Sequence, residues 1–276
     1  MKINKYVLTL FLVCFISGFI GFILLGHYPK PQNPSFRIDI PYLRNITETK
    51  KRPDRINKIF FGEIKVPLAF LSAMGTASKT MLKLTSLAYH SYVIFYKKDC
   101  ILIDTPPENQ MKFKIPFLGN FNSQNHSLYF KLLKKCNNIL LTNYNNISNI
   151  MKYFDDSIKN KIFFYNKVNN PQETEYISPF PGIVIINTSR STENRLMIYI
   201  RLKNEREYFI TGDTVWNYQN IIEKRGRPNI TNFFYKEDRD YIAEQLMELN
   251  RISKEYPEIN IIIPHDKLVN QFLRDI

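Results

Sequence analysis

What this chain lacks narrows its chemistry before any motif is found. It has no run of five or six like charges, so its net charge of +13, with an isoelectric point near 9.5, is spread out. A nucleic-acid-binding arm would gather that charge into one patch. The densest basic stretch, ETKKRPDR at 48–55, mixes both signs, and no nucleic-acid partner is expected. There is no Gly-x-Ser-x-Gly elbow and no phosphate loop, which removes two standard hydrolytic chemistries. Only three cysteines occur, none with the spacing of a zinc motif. Cys14 lies in an apolar run, whereas Cys100 and Cys136 can pair in an oxidising compartment or stay reduced; ordinary buried thiols are the expectation. Histidine is scarce as well, at four: His27, His90, His126 and His265.

Turning to what is present, residues 6–25 (YVLTLFLVCFISGFIGFILL) carry no charge over 20 positions. At a helical rise of ~1.5 Å per residue this length matches a hydrocarbon core of ~30 Å. We read residues 1–26 as an N-terminal transmembrane anchor in contact with membrane lipid. Lys2 and Lys5 before it favour a cytoplasmic N-terminus and a body outside the cytoplasm. A signal peptide, cleaved to release a secreted body, is the rival reading; its apolar region is usually shorter, ~7–15 residues. Residues 27–59, with three prolines in YPKPQNPSF, read as an extended linker. The domain proper is expected over 60–276, long enough and, at 44% hydrophobic residues, apolar enough to bury one core.

Within that domain the periodicity alternates strands with helices. SYVIFYKKDCILIDT (91–105) reads as a hairpin, SLYFKLLKKC as a helix running into the strand NILLT, and KIFFY as a further short strand. GIVIIN, RLMIYIRL and EYFITGD are three more, the last two again a hairpin. DRDYIAEQLMELNRISKEY places Ile242, Leu246, Leu249 and Ile252 on one helical face, and the buried strand INIIIPHD follows. The class is α/β with more than one sheet.

Five features in chain order resemble the metallo-β-lactamase fold superfamily, over residues 60–276. LIDTP stands where that family has a strand ending in Ile-Asp-Thr-Gly. Thr142 is followed by Asn143, Tyr144, Asn145, Asn146, Ile147 and Ser148 where the family has Thr-His-x-His-x-Asp-His. SRSTEN puts Arg190 in the place of a further histidine; TGDTV supplies Asp213, and IIIPHD supplies His265. The resemblance implies a four-layer αββα sandwich of two mixed sheets. It also implies a one- or two-metal site in which zinc lowers the pKa of a bound water to ~7 and so generates a hydroxide nucleophile.

The ligands are largely replaced. Asn143 and Asn145 offer weak amide oxygens, and a guanidinium at Arg190 cannot coordinate a cation and repels it. Ile147 and Ser148 fill the second site, which leaves Asp213 and His265 as the only candidate metal ligands. No cofactor is therefore expected, the ancestral zinc being lost. Asn143, Tyr144, Asn145, Ser148, Arg190, Asp213 and His265 read as a vestigial site whose groove holds a protein or small-molecule ligand. Arg190 is expected to pair with Asp213 in the vacated volume, with Asn143 or Asn145 alongside. The alternative is a hydrolase of small esters or lactones. It would use an atypical hard-metal site or a metal-free mechanism around Asp213, Tyr144, Ser148 and His265.

Overall fold

The computed structural model describes residues 13–18, 21, 28–31, 34–73, 83–107, 119–143, 154–163, 175–188, 195–229 and 237–276. Residues 13–18 are helical and carry exposed Val13, Phe15 and Ile16. Most of the 6–25 run lies outside the described residues, and among those described no helix is long and apolar enough to cross a membrane.

Eleven described strands form two mixed sheets. In the first, β1 (Arg55–Pro67), β2 (Leu84–Phe95), β3 (Cys100–Ile103), β4 (Gly119–Phe121), β5 (Asn138–Leu140) and β6 (Ile162–Phe163) take the order β4-β1-β2-β3-β5-β6. The pairs β3–β5 and β5–β6 are parallel and the others antiparallel. The second sheet takes the order β11-β10-β9-β8-β7. It comprises β7 (Tyr176–Phe180), β8 (Ile183–Asn187), β9 (Leu196–Arg201), β10 (Glu207–Ile210) and β11 (Ile259–Ile262). Only β10–β11 is parallel there.

Strand side chains alternate between faces, and here both faces of the second sheet are covered. Ile183, Ile185, Ile198, Ile200 and Ile210 meet the first sheet in one core. Val184, Ile186, Met197, Tyr199 and Phe209 meet the helices of a second core. Near-continuous apolar strands such as IVII and LMIYI follow from this double burial. On the outside of the first sheet, α2 (Ser123–Lys135) seats Tyr129 and Leu133. Asn122 caps it by accepting from the Asn125 amide, 2.9 Å. The other outer layer holds α1 (Ile40–Ile46) and α5 (Arg239–Glu255), with Ile242, Leu246, Leu249 and Ile252 of α5 all buried, each worth ~2 kcal/mol of transfer. Short helices α3 (Asp156–Lys159) and α4 (Tyr218–Glu223) complete the αββα arrangement.

Two expectations need correction. Residues 27–59 are not simply an extended linker: Phe36, Ile38, Ile40 and Leu43 enter the second core, Ile40–Ile46 is a helix, and β1 begins at Arg55. Carboxylates of α5 fix this segment, Glu244 accepting from the Ser35 and Phe36 amides and Glu248 from the Ile38 amide, at 2.8–2.9 Å. The cysteines, expected as reduced thiols, are joined: Cys100 and Cys136 form a disulfide. Cys100 opens β3 and Cys136 caps the helix that leads into β5, its parallel neighbour, so the topology brings them together.

Candidate functional site at the carboxyl ends of the central strands

Four strand ends converge here. After β3 the backbone turns at Asp104, in the left-handed region at φ 59°. Its carboxylate receives the Thr142 amide at 2.7 Å and the Thr142 hydroxyl at 2.8–2.9 Å, which ties the ends of β3 and β5 together. Thr142 and Asn143 then reach the second sheet. The Leu196 amide donates to the Thr142 carbonyl at 2.9 Å, and Asn143 bridges Arg195.

After β10, Gly212 adopts φ 56° with no room for a side chain, since a Cβ there would lie 2.5 Å from the Leu196 carbonyl oxygen. Glycine thus lets β10 close onto Thr142 and delivers Asp213 beside Asn143. The Asn143 amide nitrogen lies 2.5 Å from Asp213 Oδ2. After β11, His265 exchanges bonds with β2: the Ala88 amide donates to its carbonyl at 3.0 Å, and its Nδ1 faces the Ala88 carbonyl at 2.9 Å. Its Nε2 then lies 3.1 Å from Asp213 Oδ1. Tyr89 and Trp216 pack edge-on against the imidazole.

Both ring nitrogens of His265 therefore face acceptors, and both bonds form together only when each nitrogen carries hydrogen. Burial pushes the Asp213 carboxyl up, but the hydrogen bond and charge of His265, the Asn143 bond and the charge of Arg195 together outweigh it. The result is a carboxylate held well below the usual range. Asp104 behaves differently: burial lifts its acid to about 6 against the Thr142 bonds, and the Asp213 charge adds to the rise.

A buried charge cluster backs this site. Glu237 accepts from Arg195 at 2.7 Å and from Arg227 Nε at 2.9 Å, with a second, shorter bond to Arg227. Arg227 also donates to the Asp213 carbonyl at 2.9 Å and lies over the Trp216 ring. These three charged residues were not singled out in the sequence. Arg227 and Glu237 fall between α4 and α5 without a motif. The available hint was Arg195, a charge at the mouth of the apolar strand LMIYIR.

Of the expected site residues, Asn143, Asp213 and His265 are brought together. Tyr144, Asn145, Ser148 and Arg190 lie outside the described residues, and so does the expected Arg190–Asp213 pair. Zinc takes three or four nitrogen, oxygen or sulfur donors. Among the described residues no group of three or more histidine, cysteine or acidic side chains could hold a metal. Asp213 and His265 supply two donors, and Asn143 turns an N–H toward Asp213, so the described residues do not fit the ion.

No family model and no curated protein matches the chain. Solved structures do. An N-acyl homoserine lactone hydrolase, with N-hexanoyl-L-homoserine at its catalytic metal centre, aligns with 82% of this chain and 98% of its own at TM-score 0.56 and 14% identity. A probable metal-dependent hydrolase from Staphylococcus aureus aligns over 79% of this chain and 91% of its own, at TM-score 0.51 and 14% identity. A hydrolase of the beta-lactamase superfamily aligns over 78% and 87%, at TM-score 0.51 and 12% identity. With its paired mixed sheets, flanking helices and site at the strand ends, the chain has the metallo-β-lactamase fold.

Proposed function

We propose that the chain is a membrane-anchored, non-catalytic binding protein built on this hydrolase fold. One observation carries the reading: the candidate metal ligands Asp213 and His265 bond to each other, and Asn143 presents an amide N–H to the same carboxylate. A hydrogen-bonded carboxylate flanked by His265 and the buried Arg195 offers a cation little. The groove then serves as a surface for a protein or small-molecule ligand. The 20-residue apolar run at 6–25 supports anchoring, and the Cys100–Cys136 bond supports a body outside the cytoplasm.

The test is elemental analysis of the full chain purified in neutral detergent, with chelator-dependent unfolding alongside. We expect well under one equivalent of zinc, iron or manganese and an unchanged melting temperature. A stoichiometric metal whose removal lowers the melting temperature overturns the proposal in favour of an ester or lactone hydrolase, the activity named for the lactone-hydrolase neighbour. Retention of the full chain in the membrane fraction after a carbonate wash tests the anchor. A soluble form lacking residues 1–26 would instead mark a signal peptide.

A further inference from the structure

At the opposite end of β3 from Asp104, the turns of both sheets border an open cavity of about 550 Å³. That volume falls within the ~300–1,000 Å³ of small-molecule sites. Five lysines line it: Lys50 and Lys51 from the segment after α1, Lys97 and Lys98 from the β2–β3 turn, and Lys203 from the β9–β10 turn. Its apolar wall is formed by the rings of Tyr96 and Phe180 together with Ile101 and Pro181. The Tyr96 hydroxyl donates to the Pro181 carbonyl at 2.9 Å, which holds the two sheets together across this wall.

The charges around the cavity are unbalanced. Lys203 pairs with Asp54 at 2.6 Å, and the Asp99 carboxylate is engaged by the Cys100 amide at 2.6 Å. Lys50, Lys51, Lys97 and Lys98 form no ion pair among the described residues. These four lysines are exposed, and their like charges around one concavity attract an anion, more strongly at low salt. Lysine ammonium groups bind phosphate as mobile point charges, while the two rings suit a flat apolar moiety.

We propose that this cavity binds a small organic phosphate of nucleotide size, its phosphates against the lysines and its ring against Tyr96 and Phe180. The location favours a soluble ligand over a lipid headgroup. Tyr28, next to the N-terminal apolar run, packs on Arg239 at the start of α5. Arg44, in the last turn of α1, packs on Tyr256 at the far end of α5, so Lys50 and Lys51 lie on that far side. A helix of 17 residues separates the two ends by ~25 Å. The inference concerns a different part of the molecule from the Asp213 site and stands whether or not that site is silent.

The test is calorimetric titration of the full chain, in neutral detergent at low salt, with ATP, tripolyphosphate and adenosine. We expect ATP to bind at least tenfold more tightly than tripolyphosphate, and adenosine to bind least. The triple variant Lys50→Gln, Lys97→Gln, Lys98→Gln should lose at least tenfold in ATP affinity, and the charge-matched control Lys30→Gln, Lys131→Gln, Lys254→Gln less than twofold. Because Phe180 also packs against Phe163, Phe180→Leu provides a mild second variant, weakening ATP while sparing tripolyphosphate. Three results each overturn the proposal: no ATP binding at millimolar ligand, equal affinity for ATP and tripolyphosphate, or equal losses in the triple variant and its control. Binding confined to anionic vesicles refutes it as well, in favour of a membrane surface.

Discussion

Replacing Asp104 by asparagine should stabilise the domain at pH 8 and leave it unchanged near pH 3.5. Burial lifts this acid from 3.8 to about 6. A folded-state value above the unfolded one means that the fold favours the protonated acid. That contribution is fully present below about pH 3.8 and is lost as pH rises through about 6. The span corresponds to about 3 kcal/mol at ~1.4 kcal/mol per tenfold change, which the ionised carboxylate costs at pH 8. Asparagine tolerates the left-handed backbone at this position, φ 59°. Its amide oxygen can still accept from the Thr142 amide, and its NH₂ can donate to the Thr142 hydroxyl. For a domain of this size the full gain raises the melting temperature by roughly 6–12 °C. Thermal unfolding of both proteins from pH 3.5 to 8 measures it. If Asp104→Asn lowers stability at pH 8, a cation offsets the carboxylate, and the account of an ion-free site fails with it.

Three further outcomes are expected. Glu237→Ala removes the carboxylate shared by Arg195 and Arg227 and should cost ~3–5 kcal/mol in denaturant unfolding; a loss below ~1 kcal/mol would show that the cluster is not coupled. Burial holds His90 down to about 4, its Nδ1 facing the Pro264 carbonyl. Its neutral form thus contributes stability above pH 6.5 that is lost as pH falls through about 4, and NMR titration should find the ring neutral at pH 5.5. Cys100→Ser with Cys136→Ser opens a link between residues 36 apart and should lower stability by about 4 kcal/mol on the chain-entropy model, read by chemical denaturation against the oxidised protein.

The elements legible in the sequence are those whose burial follows a simple period. The β2–β3 and β9–β10 hairpins have polar turns between apolar runs, and α5 carries its apolar face at helical spacing. β1 escaped notice because FFGEIKVP breaks alternation. Gly62, at φ 148°, sits in a bulge where a Cβ would strike the Asn120 carbonyl, so Phe61 and Gly62 shift register. The segment before β1 looked like a linker because its prolines and charges mask five core residues, Tyr28, Phe36, Ile38, Ile40 and Leu43. Its amides are held by Glu244 and Glu248, carboxylates that on a helical wheel belong to a solvated face. The cysteine pairing was open for a similar reason: sequence separation says nothing about two strands that become parallel neighbours.

Site chemistry was legible where a local rule enforced it and hidden where it was built over distance. Gly212 and Asp213 stood out through the resemblance, in which TGDTV keeps its place in family order, and the backbone supplies the physical reason, a left-handed turn at φ 56° that glycine takes easily. The compensation of Asp213 could not be read that way. A carboxylate left in a cleft without its metal ions costs several kcal/mol unless another charge replaces them. Among the described residues the Asp213 carboxylate is met by the Asn143 amide and by His265, whose ring is pinned by β2 so that Nε2 meets it. Arg195 contributes a more distant charge and is itself fixed by Glu237. Asn143→His alone would add one donor while removing an N–H that Asp213 now uses, and it would leave the Arg195 cation in place. On the proposal of a silent site, such coupled replacements mean that zinc binding is not regained one ligand at a time.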